Sequence, residues 1–351
     1  MKLPDPLPEP ARTLRLHLDR EALAANWRVL KRMSGTARAG AAIKADCYGL
    51  GVAALAPTLH AAGARDLFVA HWSEAALALE HVPADCVSVL HGPLNADDMA
   101  FARGTGVRPV INSLHQAGLW LDTGGGPCDL MVDTGMNRLG LSMSEIGSEI
   151  VAMLDVRILM SHLASADEES ALNPLQLSRF REVCAAVPAQ HGSLANSAGI
   201  ALGSDYAFDL TRPGLALYGG VPRQEMAGAI RQVAIPQAAI IQCRTIAAGD
   251  SVGYNATFTA TGPLRVGVAS LGYADGFLRC WGGRGALAYE GELLPLLGRV
   301  SMDMVVVDLS SAPQLREGDW VDVPYDLQEA AAISGLSQYE LLTILGRRFA
   351  R

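Results

Sequence analysis

The sequence predicts an α/β protein, a TIM-type (β/α)8 barrel followed by a mostly antiparallel β domain. Three observations carry this. From residue 12 to about 235, short apolar or β-branched runs alternate with Ala-rich helical stretches, the pattern of parallel βα units. Eight such units in about 200 residues fit a closed barrel, although a doubly wound open sheet fits the same alternation. From about Val233 the helical period disappears, and strands separated by Gly-Asp and Gly-Pro turns take over.

The elements follow in order. TLRLHL (13–18) reads as a leading strand, and REALAANWRVLKRM (20–33) as a helix with Asp19 before it as N-cap. Strand candidates then begin near Ala39 (AGAAI), Leu67 (LFVA), Cys86 (CVSVL), Val107 (VRPVI), Asp129 (DLMVD), Val156 (VRILMSH), Gly192 (GSLAN) and Phe208 (FDLTR). SEAALALEHV, opened by Ser73, is one of the helices between them. The second part holds AIPQAAIIQCRTI, LLPLLGRVSMDMVVVDLSS and WVDVP as strand-rich stretches, with a short helix from Ser337 to Leu345. The reading places the barrel at 1–235 and the β domain at 236–351, with the leading strand 12–18 open to packing on the second domain.

Composition limits the function classes. With 351 residues, 50% of them hydrophobic and 18% charged, the chain can bury full cores and shows no disordered bias. A net charge of −8 argues against nucleic-acid binding, which needs a basic face. The start, MKLPDPLPEP, has four prolines and no apolar core of a signal peptide. No stretch approaches the roughly 20 apolar residues of a membrane span. Six cysteines (Cys47, Cys86, Cys128, Cys184, Cys243, Cys280) lie scattered without CxxC spacing. That pattern points away from disulfides and zinc and toward a reducing cytoplasm.

The chemistry begins at IKADCYGLG. Lys44 directly follows an apolar strand, and the C-terminal strand ends of a barrel are where active-site residues sit. A lone lysine there is ordinarily a surface residue. A desolvated one has a lowered pKa and condenses with an aldehyde such as that of pyridoxal phosphate.

AAIKADCYGLG (41–51) resembles the cofactor-lysine signature of the alanine racemases, barrel-type pyridoxal-phosphate enzymes. Further segments agree with that family in order and spacing: DTGMNRLG (133–140), SHLASADE (161–168), NSAG (196–199), RPGLALYG (212–219), GYADG (272–276) and GRVSMDM (298–304). Any one is weak; seven in register span nearly the whole chain.

The resemblance implies interconversion of L- and D-alanine by two bases. Lys44 carries the cofactor and works on one face of Cα; Tyr273 works on the other. Racemisation requires such a pair, because a proton is removed on one side and returned on the opposite side. A free tyrosine titrates near 10, about 2–3 units too high for a base at neutral pH. By resemblance, contacts from Tyr273 through His162 to Arg212 supply part of that help. Arg212 is implied to face the pyridine nitrogen of the cofactor. A guanidinium keeps its proton, so that nitrogen stays unprotonated and the ring is a weaker electron sink, which favours racemisation over transamination.

The same resemblance assigns the phosphate to Tyr48, Asn196, Ser197, Gly214 and Leu215, in the loops after strands seven and eight, where barrels often bind phosphate. The substrate carboxylate goes to Arg138 and the Met302 backbone, beside Asp303. Tyr273, Met302 and Asp303 are implied to reach the pocket from a partner subunit, making a homodimer with shared sites. Tyr254 is implied to wall the entrance, and the product to feed peptidoglycan synthesis.

Two departures stand out. Many relatives carry a carbamylated lysine two residues before the DTG aspartate, where this chain has Met131. Its tail, LLTILGRRFAR, stops where many show an RVPR-type segment, with Arg347 in place of a phosphate-binding tyrosine. Competing readings are a broader small-amino-acid racemase of the same fold, acting for instance on serine, a barrel-type decarboxylase, and a non-catalytic pyridoxal-phosphate-binding protein.

Overall fold

The first unit, Arg20–Val233, gathers short, almost fully buried strands in a computed structural model that describes residues 10–346, 348 and 349. Ahead of it lies β1 (Leu14–Leu18). The unit's own strands are β2 (Arg38–Ala39), β3 (Ala41–Ala42), β4 (Leu67–Val69), β5 (Val87–Val89), β6 (Arg108–Ile111), β7 (Pro127–Met131), β8 (Asp155–Met160), β9 (His191–Ser193) and β10 (Leu210–Thr211). β3 to β9 form one parallel sheet in sequence order, and β10 pairs in parallel with β2. β2 and β3 are one strand interrupted at Gly40, so the barrel has eight strands.

Backbone bonds close the cylinder. Arg38, Gly40 and Ala42 donate to Asp209, Thr211 and Pro213 at 2.8–2.9 Å on one side of β10. On its other side Asp209 and Arg212 donate to Gly192 and Ala195. An open sheet would leave these edges unpaired. Phe68, Val110, Met131, Ile158, Met160 and Leu210 pack together as one buried cluster from five of the strands, with Leu90 against it.

The first helix shows how the outer layer packs on the sheet. In Arg20–Met33, Leu23, Trp27 and Leu30 recur at helical spacing and are buried. The helix read as opening at Ser73 starts instead at Trp72 and ends at Ala78, with His71 as the residue before it. The Glu74 carboxylate accepts from the amides of Ala70 and His71 at 2.7 and 3.2 Å, which fixes the helix start one residue earlier.

The second unit comprises the residues before Arg20 together with those from Ala234. The first unit therefore begins at Arg20 and ends at Val233, and the leading strand is not part of it. β1 pairs antiparallel with the first half of β11 (Ala234–Ile246), Leu14 opposite Ala238 and Leu18 opposite Ala234. A bulge between Ile240 and Gln242 bends β11, and its second half pairs with β14 (Leu264–Ala269). β12 (Ser251–Val252) and β13 (Phe258–Thr259) form a small hairpin between them. β15 (Ala286–Tyr289), β16 (Glu292–Leu297), β17 (Val305–Asp308) and β18 (Trp320–Asp322) complete a ring, because β14 pairs β17, β17 pairs β16, β16 pairs β15, and β18 joins β15 to β11. Val252, Val266 and Leu297 are buried together in its interior.

Two helices end this unit. Leu327–Ser334, capped by Asp326, has no counterpart in the reading from sequence. Gln338–Thr343 is capped by Ser337, whose hydroxyl accepts from the Glu340 amide while the Glu340 carboxylate accepts from the Ser337 amide. Among the described residues no helix is long and apolar enough to cross a membrane. The proline-rich start before Pro10, and Arg347, lie outside the described residues.

Candidate active site

At the C-terminal end of β3, Lys44 opens a turn of unusual hand. Ala45, Asp46, Cys47 and Tyr48 all have φ between 53° and 57°, a left-handed helical turn made without glycine. Each such residue costs about 1–2 kcal/mol against the right-handed form, so the turn exists only because its surroundings hold it. Cys47 donates to Ile43 O at 3.0 Å and Gly49 to Ala45 O at 2.7 Å. The Asp46 carboxylate accepts from the Val52 amide at 2.7 Å, and the Glu74 carboxylate accepts from the Ala45 amide at 2.7 Å. Cys47 and Tyr48 are buried beneath, where burial pushes the thiol up to about 12 and keeps it protonated.

Around the Lys44 amine the charges are mostly positive. Burial, then the Arg138 guanidinium, lowers its pKa; Glu74 opposes this, and Arg212 adds to the lowering. His162, just past β8, is pushed down to about 3 by burial and by the cations Arg212, Lys44 and Arg138, so its ring is neutral at any working pH. Arg212 follows β10 and is 7% exposed. Burial lowers it to about 10, with the Asp129 carboxylate opposing, which leaves it cationic at neutral pH. Its two terminal nitrogens donate to the Ser193 hydroxyl and to Ser161 O. Ser193 is itself aimed by donating to Leu210 O at 2.6 Å. Among the described residues Arg212 makes no ion pair with a carboxylate. Lys44, Arg138, His162 and Arg212 are thus brought within electrostatic reach of one another.

A second cluster of backbone donors lies at the ends of β9 and β10. Asn196 caps the helix Ser197–Ala201, its side-chain oxygen accepting from the Gly199 amide at 2.8 Å. The buried Ser197 hydroxyl accepts from the amides of Gly214 and Ala216 at 2.9 and 3.2 Å, and Leu215 opens a short turn that runs to Tyr218. A Cβ on Gly214 would fall 2.1 Å from the Tyr48 hydroxyl, so only glycine admits the tyrosine here. The structure brings Tyr48, Asn196, Ser197, Gly214 and Leu215 together, linking the Lys44 turn to this cluster.

Arg138 is exposed in the loop after β7. Its loop is shaped by Asp133, whose carboxylate accepts from the amides of Gly135, Met136 and Arg138 at 2.8–2.9 Å. Burial raises the Asp133 pKa, but these amides and that of Asn137 outweigh it and hold the group below the usual carboxylate range. Met131 is 6% exposed in the barrel interior cluster.

The other unit carries the remaining residues. Tyr273 starts a short turn, Tyr273–Asp275, against the loop 301–303: its amide donates to Ser301 O at 3.0 Å and that of Ala274 to Met302 O at 3.0 Å. A Cβ on Gly272 would lie 2.2 Å from Met302 O, so the close approach of the two loops requires glycine. Tyr273 is half-buried, with the Arg279 guanidinium 5.7 Å from its ring centre. Met302 and Asp303 are exposed. Arg348 clamps both loops, donating twice to the buried Asp275 carboxylate at 2.6 and 2.8 Å and once to Asp303 at 2.7 Å.

Two sequence profiles cover the chain: the alanine racemase N-terminal domain matches residues 18–222, and the alanine racemase C-terminal domain matches 233–351. The chain belongs to the alanine racemase family. It is 41% identical to the biosynthetic alanine racemase of Agrobacterium fabrum, with 96% of this chain and 93% of that one covered. Against the alanine racemase of Methylobacterium nodulans it is 42% identical, covering 96% and 95%. Among solved structures, the alanine racemase of Bartonella henselae with covalently bound pyridoxal phosphate superposes with a TM-score of 0.89 at 33% identity, covering 97% of this chain and 99% of that one.

Within this alanine racemase fold, several site residues carried no sequence signal. Glu74, Ser193, Gln176 and Arg348 are lone polar residues in helices, strands or the tail, with no spacing that marks them. Gln176 shows why: from its helix it donates to His162 O at 2.9 Å and to the Thr134 hydroxyl at 3.2 Å, and accepts from the Ala164 amide, tying the His162 loop to the Asp133 loop. Only the fold pairs residues so far apart in sequence.

Proposed function

We propose that this chain interconverts L- and D-alanine with pyridoxal phosphate held on Lys44, and that Lys44 and Tyr273 are the two bases. The observation that carries the proposal is the Lys44 neighbourhood, a strand-end amine whose pKa is lowered by burial and by Arg138, in a chain matched along both domains by alanine racemase.

The residues present fit the cofactor. A phosphate ester needs clustered donors at the barrel mouth, and the Ser197 and Tyr48 hydroxyls and the Leu215 amide gather there around Gly214, which admits no side chain and whose own amide donates to the Ser197 hydroxyl. A pyridine nitrogen that stays unprotonated needs a fixed donor, and Arg212 is buried, cationic and without a carboxylate partner among the described residues. When bound, pyridoxal phosphate supplies the electron sink that makes the Cα proton of an amino acid removable.

The chain's own residues do the rest. Arg138 receives the substrate carboxylate, assisted by the Met302 backbone, and thereby fixes which face of Cα meets each base. Lys44, its proton affinity lowered, takes or gives the proton on one face. Tyr273 does so on the other, with neutral His162 and cationic Arg212 behind it. We assign Tyr273, Met302 and Asp303 to a partner subunit's site, so that a homodimer shares its active sites. Exposed Met302 and Met304 beside Tyr273 support a surface that another chain covers. The first unit is then the cofactor-binding domain. A cytoplasmic location, supported by the scattered cysteines, and supply of D-alanine for peptidoglycan belong to the same proposal.

Chiral analysis after incubation with L-alanine, L-serine and L-ornithine tests it. D-alanine should form fastest, and borohydride should fix the cofactor on Lys44, as read by peptide mass spectrometry. An adduct on another lysine such as Lys31, or no D-alanine, overturns the proposal.

A further inference from the structure

We propose that Glu74 is a positioning residue for Lys44: its carboxylate ties the backbone that follows Lys44 to the end of β4 and so sets where the amine is presented. The inference rests on the reading of Lys44 as carrier and base.

One carboxylate oxygen of Glu74 accepts from Ala45, the first residue of the left-handed turn, at 2.7 Å. The other accepts from Ala70 at 2.7 Å and from His71 at 3.2 Å, at the mouth end of the next strand. Three amides from two chain segments thus converge on one half-buried side chain that has no ion-pair partner among the described residues. A left-handed run without glycine is unfavourable by itself, and Ala45 is its hinge. Loosening the Ala45 amide lets the turn relax toward the right-handed form and swings Lys44 with it. An amide side chain cannot replace Glu74 here, because its NH2 edge would meet backbone N–H groups, donor against donor.

Charge acts alongside geometry. Arg138 and Arg212 face Lys44 and lower its proton affinity, and Glu74 alone opposes them. His162 is neutral, and burial and the neighbouring His71 lower the His91 pKa, which disfavours a further cation there. Removing the Glu74 charge should therefore lower the Lys44 pKa further and extend activity to lower pH, even as the displaced amine slows the reaction.

The test uses the holoenzyme with Glu74→Gln, and with Glu74→Asp, which keeps the charge and loses the reach. We expect Glu74→Gln to melt near the parent and to lose about 10–100-fold in kcat/KM, the scale for a misplaced catalytic group. The acid limb of its pH profile should move to lower pH. Its α-deuterium isotope effect should rise for one alanine enantiomer only, the one whose proton Lys44 removes. After stripping with hydroxylamine, recapture of pyridoxal phosphate, followed by visible absorbance, should also slow. Glu74→Asp should show the slowing without the pH shift. Parental recapture and unchanged isotope effects in both variants would overturn the inference. If Lys44→Ala also keeps its activity, the reading of Lys44 itself has failed; if Lys44→Ala is dead while both Glu74 variants are normal, only the present inference falls.

Discussion

The two units handle their functional residues in opposite ways. In the barrel, Lys44, His162 and Arg212 stand at strand ends among buried partners, and burial plus neighbouring charge sets their protonation. In the antiparallel unit, Tyr273, Met302 and Asp303 sit on two turns fixed to each other by backbone bonds and by Arg348, with Met302 53% exposed. The barrel thus surrounds its groups with buried partners, while the β unit presents two bonded turns with Met302 and Asp303 open to solvent. Burial is the first cause of the shifts at Lys44, His162 and Arg212, and neighbouring charge modifies it.

The largest effect should come from breaking both regions at once. Lys44→Ala and Tyr273→Ala should each lose roughly 10²–10⁴-fold as homodimers. Mixed and allowed to exchange subunits, about half of the dimers become heterodimers with one intact site of two, so up to about a quarter of parental activity should return. Activity that stays at the level of the separate mutants, with exchange verified, would show that each site is built within one chain.

Matched glycine substitutions sharpen the contrast. Gly272→Ala forces the Tyr273 and Met302 turns apart, because the new Cβ would sit 2.2 Å from Met302 O. Its kcat/KM should fall about 10–100-fold while borohydride trapping on Lys44 proceeds normally. Gly214→Ala pushes the Tyr48 hydroxyl out of the cradle and should instead weaken cofactor retention, read by equilibrium dialysis. The same defect in both variants would erase the division of labour.

A smaller effect follows from His162. Its pKa is pushed down from the ordinary 6.5 to about 3, so the folded protein prefers the neutral ring. The stability this contributes is complete above pH 6.5 and is lost as the pH falls from there toward 3. His162→Gln should flatten that part of the melting-temperature profile relative to the parent. An unchanged acid slope would show that His162 is protonated in the fold. The smallest effect concerns Met131, which cannot be carbamylated: racemisation should be the same in CO2-free buffer and after bicarbonate is added. Loss and recovery would assign the carbamate to another lysine.

Much of this was legible in the sequence because the signals are local. Alternating βα units specify parallel strands through the periodicity of apolar residues, and the helix Arg20–Met33 shows it residue by residue. Motif-bearing residues such as Lys44 and Arg212 mark strand ends for the same reason. The Trp72–Ala78 boundary and the helix Leu327–Ser334 were not legible: the first is set by a carboxylate that serves two segments, and the second is short and only weakly amphipathic.

By itself the sequence determined which residue types stand at the ends of which strands, since periodicity and turn chemistry act over a few residues. Tertiary structure alone decided what surrounds them. That β1 leaves the barrel side to pair with β11 depends on a partner more than 200 positions away. That Ser193 and Ser161 hold Arg212, that Gln176 ties two loops, and that Glu74 grips the Lys44 turn follow from packing successive βα units around the barrel, which brings these side chains within 3 Å of groups remote in sequence. Hydrogen bonding and desolvation depend on distance in space, and along the chain that distance is invisible until the fold has formed.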